Sequence, residues 1–177
     1  MTVTDVNVVK SAIFERPDDA NKGTLGSLLC VCGSYGMAGA AVMSAKGALR
    51  TGIGLAKCAL PRSIYPIVAQ TILESVYYPL SENADGRISK VNVPFLVSES
   101  CKSSATLVGC GLGVCDDTLK IVFSLIENST TPLVLDADAL NCVAKQPEIL
   151  LRKKAPIIIT PHPGEMSRLT GCLLYTS

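Results

Sequence analysis

The chain has 177 residues, 48% of them hydrophobic, 18% charged and 5% aromatic, and its 16 Lys and Arg nearly balance its 15 Asp and Glu. That length suits one domain with a real core, and the apolar content excludes a disordered chain. A formal charge of +1 gives no electrostatic case for nucleic acid or an anionic membrane.

No apolar run approaches the roughly 18 residues a membrane span needs. Residues 1–22 carry Asp5, Glu15, Asp18 and Asp19 and lack the basic start and apolar block of a secretory signal, so the expected compartment is the cytoplasm.

Leu28–Cys32 is a continuous apolar run closed by Gly33, which predicts a buried strand. Ala38–Arg50, rich in Ala, Met and Leu and stopped at Gly52, predicts a helix. Gly54–Leu60 is the next strand, ended by Pro61, and Ser63–Gln70 a short helix. Glu74–Leu80 carries strand-favouring Val and Tyr, and Asn83-Ala84-Asp85-Gly86 is turn chemistry. A weak helix follows over Val93–Ser103, then a strand over Ala105–Cys110 and a turn at Gly111–Gly113. Asp116 or Asp117 can cap a helix through Glu127, with Leu119, Val122, Phe123 and Ile126 on one face. Leu133–Leu135 is a strand, Ala139–Ala144 and Glu148–Lys153 are helical pieces parted by Pro147, Pro156–Ile159 is a strand, and Pro163–Leu169 opens a helix. Strands alternating with helices predict an α/β fold whose mainly parallel sheet is covered on both faces.

Eight cysteines are many for this length. No Cys-x-x-Cys occurs and the single histidine, His162, stands far along the chain, so zinc spacing is absent. Most lie in apolar segments, which favours buried thiols over disulfides.

Four unusual segments each follow a predicted strand directly, so a parallel sheet brings them to one edge, where ligands bind. The first is Gly33-Ser34-Tyr35-Gly36-Met37-Ala38-Gly39, whose glycines and helix start offer free N–H groups to a phosphate or another anion. It matches neither the usual dinucleotide fingerprint nor a P-loop, and read alone it is equally an ordinary strand-to-helix turn. The second, Gly109-Cys110-Gly111-Leu112-Gly113, permits close backbone approach. In the third, Asp136-Ala137-Asp138-Ala139-Leu140-Asn141, the two carboxylates, if extended, face the same way toward hydroxyls or a hydrated Mg²⁺, while Asp138 is also placed to cap a helix. In the fourth, Thr160-Pro161-His162-Pro163-Gly164-Glu165, two prolines hold His162 extended at the ligand edge, which favours a contact role. Glu165 suits a helix N-terminus.

With Lys22-Gly23-Thr24-Leu25-Gly26 before the first strand and Leu49-Arg50-Thr51-Gly52-Ile53-Gly54-Leu55 after the first helix, these motifs span residues 22–171 in order. Together they resemble the ADP/ATP-dependent NAD(P)H-hydrate dehydratase family, the repair enzymes of carbohydrate-kinase-like type. The resemblance implies a ribokinase-like three-layer fold with a mainly parallel central sheet, its C-terminal part missing. It implies ADP or ATP as co-substrate, Mg²⁺, and hydrated NADH or NADPH as substrate. The nucleotide phosphorylates the ring hydroxyl, phosphate leaves, and the nicotinamide double bond returns. Ala40, Gly111 and His162 would contact the hydrated dinucleotide, with Gly109, Gly113, Asp136, Asp138 and Asn141 lining the site. Partners would be small molecules, with no nucleic acid or membrane, and a homo-oligomer at full length.

The family's Gly-Ser-Gly-Asp stretch, which supplies the catalytic aspartate, and its Lys-Gly nucleotide segment downstream of Pro-His-Pro are absent from residues 1–177. The chain alone is therefore expected to be inactive. The alternatives are a ribokinase-like vitamin-precursor or sugar kinase, which would need the same aspartate, and a non-catalytic nucleotide-binding remnant. Cys172-Leu173-Leu174-Tyr175-Thr176-Ser177 can be encoded by DNA resembling a transposon end used in sequencing libraries. The expected natural domain is thus 1–171, with 172–177 a foreign tail.

Overall fold

The computed structural model describes residue 20 and residues 23–172. The N-terminal stretch read for a signal, Lys22, and the suspected tail apart from Cys172 lie outside the described residues.

Six strands form one sheet: β1 (Ser27–Val31), β2 (Leu55–Pro61), β3 (Val76–Leu80), β4 (Ala105–Val108), β5 (Leu133–Leu135) and β6 (Ile157–Ile159). Every pairing is parallel, in the order β3-β2-β1-β4-β5-β6. The helices are α1 (Ala38–Arg50), α2 (Tyr65–Thr71), α3 (Val93–Cys101), α4 (Asp116–Asn128), α5 (Asp138–Val143) and α6 (Pro163–Thr170), with 3₁₀ turns at Lys90–Asn92 and Pro147–Arg152. Among the described residues no helix is long and apolar enough to cross a membrane.

Strands are added outward from β1 to β3, and the chain then returns to β1's other side for β4. Right-handed crossovers run in opposite directions must put their helices on opposite faces. Accordingly α1, α2 and their flanks cover one face with Ala41, Ala45, Ile64, Val68 and Ile72, over Cys30, Cys32, Cys58 and Leu60. Helices α3, α4 and α5 cover the other with Leu96, Ile121, Val122, Leu125, Ile126, Leu140 and Val143, over Leu29, Val31, Val108, Leu133 and Leu135.

The predicted elements all form, with ends moved by a residue or two. Three differences bear on the site. Strand β4 stops at Val108, so Cys110 stands in the loop beyond it. The cap of α4 is Cys115, whose thiol and Thr118 form a capping box, while Asp116 and Asp117 fill the first turn. Both faces of the sheet were expected to be covered, and among the described residues the α1 face is covered over β1 and β2 but open toward β6. Across it runs the row Cys30, Leu107, Val134, Ile158. Cys30 is 1% exposed beneath α1, whereas Ile158 is 58% exposed.

Candidate active site at the strand switch point

Reversing strand order between β1 and β4 opens a crevice at the carboxyl ends of those strands, the site where open parallel sheets bind ligands. The first two glycine segments leave the sheet there and are laced together. Gly33 N–H donates to the Cys110 carbonyl at 2.8 Å, and the buried Ser34 hydroxyl donates to the Gly111 carbonyl at 2.8 Å. Gly109 has φ +123°, and a Cβ there would overlap the Asp136 carbonyl oxygen and come 2.7 Å from the Ala139 Cβ. Gly111 has φ +65°, and its Cβ would lie 2.6 Å from that of Ala40. Both positions therefore demand glycine for conformation and for space.

Helix α1 begins at this crevice. Its cap, Met37, makes no side-chain hydrogen bond. Ala40 N–H turns back to the Met37 carbonyl at 3.2 Å, which leaves the N–H groups of Ala38 and Gly39 without a partner among the described residues. A Cβ on Gly39 would meet nothing within 4 Å, so this end of α1 is open to a ligand.

The aspartates behave differently from expectation. Ala137 has φ 50°, ψ −114° and is the one non-glycine residue with positive φ among the described residues. The chain turns there, so Asp136 and Asp138 are not an extended pair. Asp136 accepts from the Thr160 hydroxyl at 2.7 Å and from the Cys110 thiol at 3.3 Å. Asp138 accepts from Gly113 N–H at 2.8 Å and from the Asn141 amide at 3.3 Å. Asp138 thus fastens the β4 loop rather than capping its own helix, whose N-cap is Ala137. Asn141 in turn accepts from Arg168 of α6 at 2.7 Å.

His162 caps α6. Its Nδ1 accepts from Gly164 N–H at 3.0 Å, its Nε2 lies 3.2 Å from Glu165 Oε1, and its own N–H donates to Glu165 Oε2 at 3.0 Å. An acceptor Nδ1 places the proton of a neutral ring on Nε2. The cap is local, and the imidazole remains 60% exposed at the rim. Glu165, at the predicted helix start, is the buried partner.

The four segments therefore converge, and hydrogen bonds or close packing join Ala40 to Gly111, Gly109 to Asp136, and Gly113 through Asp138 and Asn141 to α6. A fifth segment joins them that sequence reasoning took for a turn alone. In the loop after β3, the Asn83 side chain accepts from the N–H groups of Asp85 and Arg87 and donates to Asp117 at 3.0 Å. Tyr35 N–H donates to the Gly86 carbonyl at 2.9 Å, and the half-buried Arg87 side chain fills the space beside Gly113. The available signal was position: Asn83–Gly86, like the other four, follows a parallel strand.

An open cavity of about 380 Å³ lined by Tyr35, Gly36, Ala38, Gly39, Ser63, Ile64 and Ile67 lies beside the start of α1. On the other side, about 450 Å³ is lined by residues including Met43, Ser44, Cys110, Asp136 and Thr160. Two thiols here titrate below their usual range. A hydrogen bond from Cys32 lowers Cys110, against the opposing effects of burial and Asp136. Burial would raise Cys115, but donors from Thr118 and Asp117 outweigh it. Cys30, Cys32, Cys58 and Cys142 are buried free thiols, as expected.

The family profile described as NAD(P)H-hydrate dehydratase matches residues 28–177. The bifunctional NAD(P)H-hydrate repair enzyme Nnr of Thermofilum pendens is 38% identical over 156 residues, which are 88% of this chain and 30% of that protein. The crystal structure of the ADP/ATP-dependent NAD(P)H-hydrate dehydratase of Bacillus subtilis, grown with ATP and Mg²⁺, matches with TM-score 0.71 and 28% identity, over 93% of this chain and 54% of that one. A ribokinase-like superfamily protein of Enterococcus faecalis shares the fold, with TM-score 0.75 and 20% identity over 90% of this chain and 53% of that one. The chain thus spans from 30% to 54% of the length of these proteins. Its sheet, its loops and its sequence agree: the chain belongs to the NAD(P)H-hydrate dehydratase family, on a ribokinase-like fold.

Proposed function

We propose that the chain supplies the first part of a catalytic unit that repairs the S epimer of hydrated NADH and NADPH, with ADP or ATP as phosphoryl donor. The observation that carries this reading is the convergence of the post-strand segments on the switch point, in a chain of this family. A hydrated dinucleotide carries a pyrophosphate, and the unpaired N–H groups of Ala38 and Gly39 at the positive end of α1 suit it. Ala40, Gly109, Gly111 and Gly113 present backbone with little side chain, so the dinucleotide can lie close. Asp138 and Asn141 hold the Gly113 turn and the start of α6 in place, Asp136 holds Thr160, and His162 offers an exposed imidazole at the rim. In the reaction the ring hydroxyl takes a phosphoryl group from the nucleotide, and phosphate then departs as the double bond reforms.

Mg²⁺ would accompany the nucleotide. Asp136 accepts from Cys110 and Thr160 and Asp138 from Gly113 and Asn141, so both carboxylates are engaged in holding the loops. Among the described residues no group of three or more potential ligands is placed to hold a metal ion. The same reading makes the natural protein a cytoplasmic small-molecule enzyme, a homo-oligomer at full length, whose own sequence ends at Gly171 in this chain.

The test is recovery of NADPH absorbance from the hydrate with ADP or ATP and Mg²⁺. The 177-residue chain alone is expected to recover none. A product of the source gene read on through a Gly-Ser-Gly-Asp segment is expected to recover it. Turnover by the short chain would contradict the first expectation. A longer product that yields a stable phosphorylated vitamin or sugar and no NADPH would overturn the reading.

A further inference from the structure

His162 is the one histidine of the chain, and both of its ring nitrogens are engaged by the start of α6. Nδ1 accepts from Gly164 N–H at 3.0 Å, and Nε2 lies 3.2 Å from Glu165 Oε1. The ring sits so near the helix that a Cβ on Gly164 would come 2.9 Å from its Cε1. The edge from Nδ1 through Cε1 to Nε2 is therefore turned into α6. What the exposed side chain still shows is carbon, the ring face and the Cδ2 edge. The backbone is fixed as well: Pro161 and Pro163 flank it, and Met166 N–H donates to the His162 carbonyl at 3.0 Å.

Glu165 does more here than a helix cap needs. A capping box requires one acceptor for the N-cap N–H, and glutamate and glutamine both supply it. Glu165 makes that bond with Oε2, 3.0 Å from His162 N, and has Oε1 left for the ring. With Nδ1 an acceptor, His162 presents two donors, its backbone N–H and its Nε2–H. A carboxylate has two oxygens to accept both, whereas an amide has one oxygen and a donor. The Glu165 carboxylate is buried, so little water competes for it.

We propose that Glu165 is the positioning residue for His162, holding the imidazole as one Nε2–H tautomer with both nitrogens in the α6 cap, so that a ring of the substrate meets His162 by its carbon face. No ring nitrogen then donates to the substrate or takes a proton from it. A proton on Nδ1 would set two N–H donors against each other at Gly164, so the cap itself opposes the other tautomer. The face contact rests on the dinucleotide reading of the crevice, where a nicotinamide or adenine ring is the group that packs on an imidazole face. The tautomer does not rest on it.

The test is NMR of the isotope-labelled 177-residue chain, whose single histidine makes the ring signals unambiguous. At about pH 8, where an ordinary imidazole is neutral, the ring nitrogen shifts should show one tautomer with Nδ1 bare. Glu165→Gln keeps an acceptor for the cap, so the amide signals of α6 should persist while the ring turns to a mixture of tautomers. Hydrated NADPH should move the Cδ2 proton signal and leave the nitrogen shifts in place. His162→Ala and His162→Gln should each weaken binding about three- to tenfold, with His162→Phe the smallest loss of the three. A proton on Nδ1 in the unaltered chain, or one tautomer retained in Glu165→Gln, would overturn the positioning role and leave the dinucleotide reading standing. Nitrogen shifts that change on binding, or His162→Gln binding better than His162→Phe, would overturn the face contact. A single tautomer with no response to saturating hydrated NADPH would support the positioning role and overturn the dinucleotide reading, with the face contact that rests on it.

Discussion

Gly109 and Gly39 are both glycines of the crevice, yet they are held there by different forces. At Gly109 the backbone lies at φ +123° against the Asp136 carbonyl, so a side chain is excluded by conformation and by space together. Gly109→Ala should lower stability by more than about 2 kcal/mol, read as a shift in the urea midpoint. Gly39 sits inside the first turn of α1 with open space around it. Gly39→Ala should raise stability by about 0.5–1 kcal/mol, because alanine favours helix, while weakening binding of the hydrated dinucleotide by filling the approach to the N–H groups. A loss of stability at Gly39 of the Gly109 size would contradict this assignment of roles.

Elements were legible where one force dominated. Leu29 to Cys32 and Leu133 to Leu135 are apolar runs that a doubly covered sheet requires, and α4 repeats its apolar residues at helical spacing. The site segments were legible because glycines, prolines and paired aspartates are costly choices directly after a strand. Contacts between loops distant in sequence were not. Nothing local to Asn83–Arg87 shows that Gly86 will pair with Tyr35 or that Arg87 will pack on Gly113, and nothing in Asp136-Ala137-Asp138 shows that Ala137 will take a positive φ. At the opposite edge, Glu99 of α3 ties that helix to the sheet through the Tyr78 hydroxyl at 3.0 Å and Lys57 at 3.7 Å, and pairs with Lys102 at the end of its own helix at 3.0 Å. The hydrogen bond from Lys102, opposed by burial and helped by Tyr78 and Lys57, lowers the Glu99 carboxyl. A carboxyl lowered on folding stabilises the fold above its unfolded value of about 4.3 and loses that contribution as pH falls through its folded value. The urea-midpoint gap between the unaltered chain and Glu99→Gln should be widest above about pH 5 and close in acid. A gap that does not change with pH would show that the carboxylate charge is not what binds α3.

Over the whole molecule, the two faces of the sheet are unequal. Leu135 faces α4 and α5 and is fully buried, whereas Ile158, in the neighbouring strand, looks out from the uncovered part of the α1 face. In this chain Leu135→Ala should cost about 2–5 kcal/mol and Ile158→Ala less than about 1 kcal/mol. Equal costs would mean that something covers Ile158 in solution. The functional edge, by contrast, is built from residues already present, so binding can be tested without catalysis. The most direct measurement is hydrogen exchange of the 177-residue chain with and without hydrated NADPH. Slower exchange confined to residues 33–40, 109–113 and 160–165 is the predicted result. Unchanged exchange there, with protection elsewhere or nowhere at saturating dinucleotide, would contradict the placement of the site at the switch point.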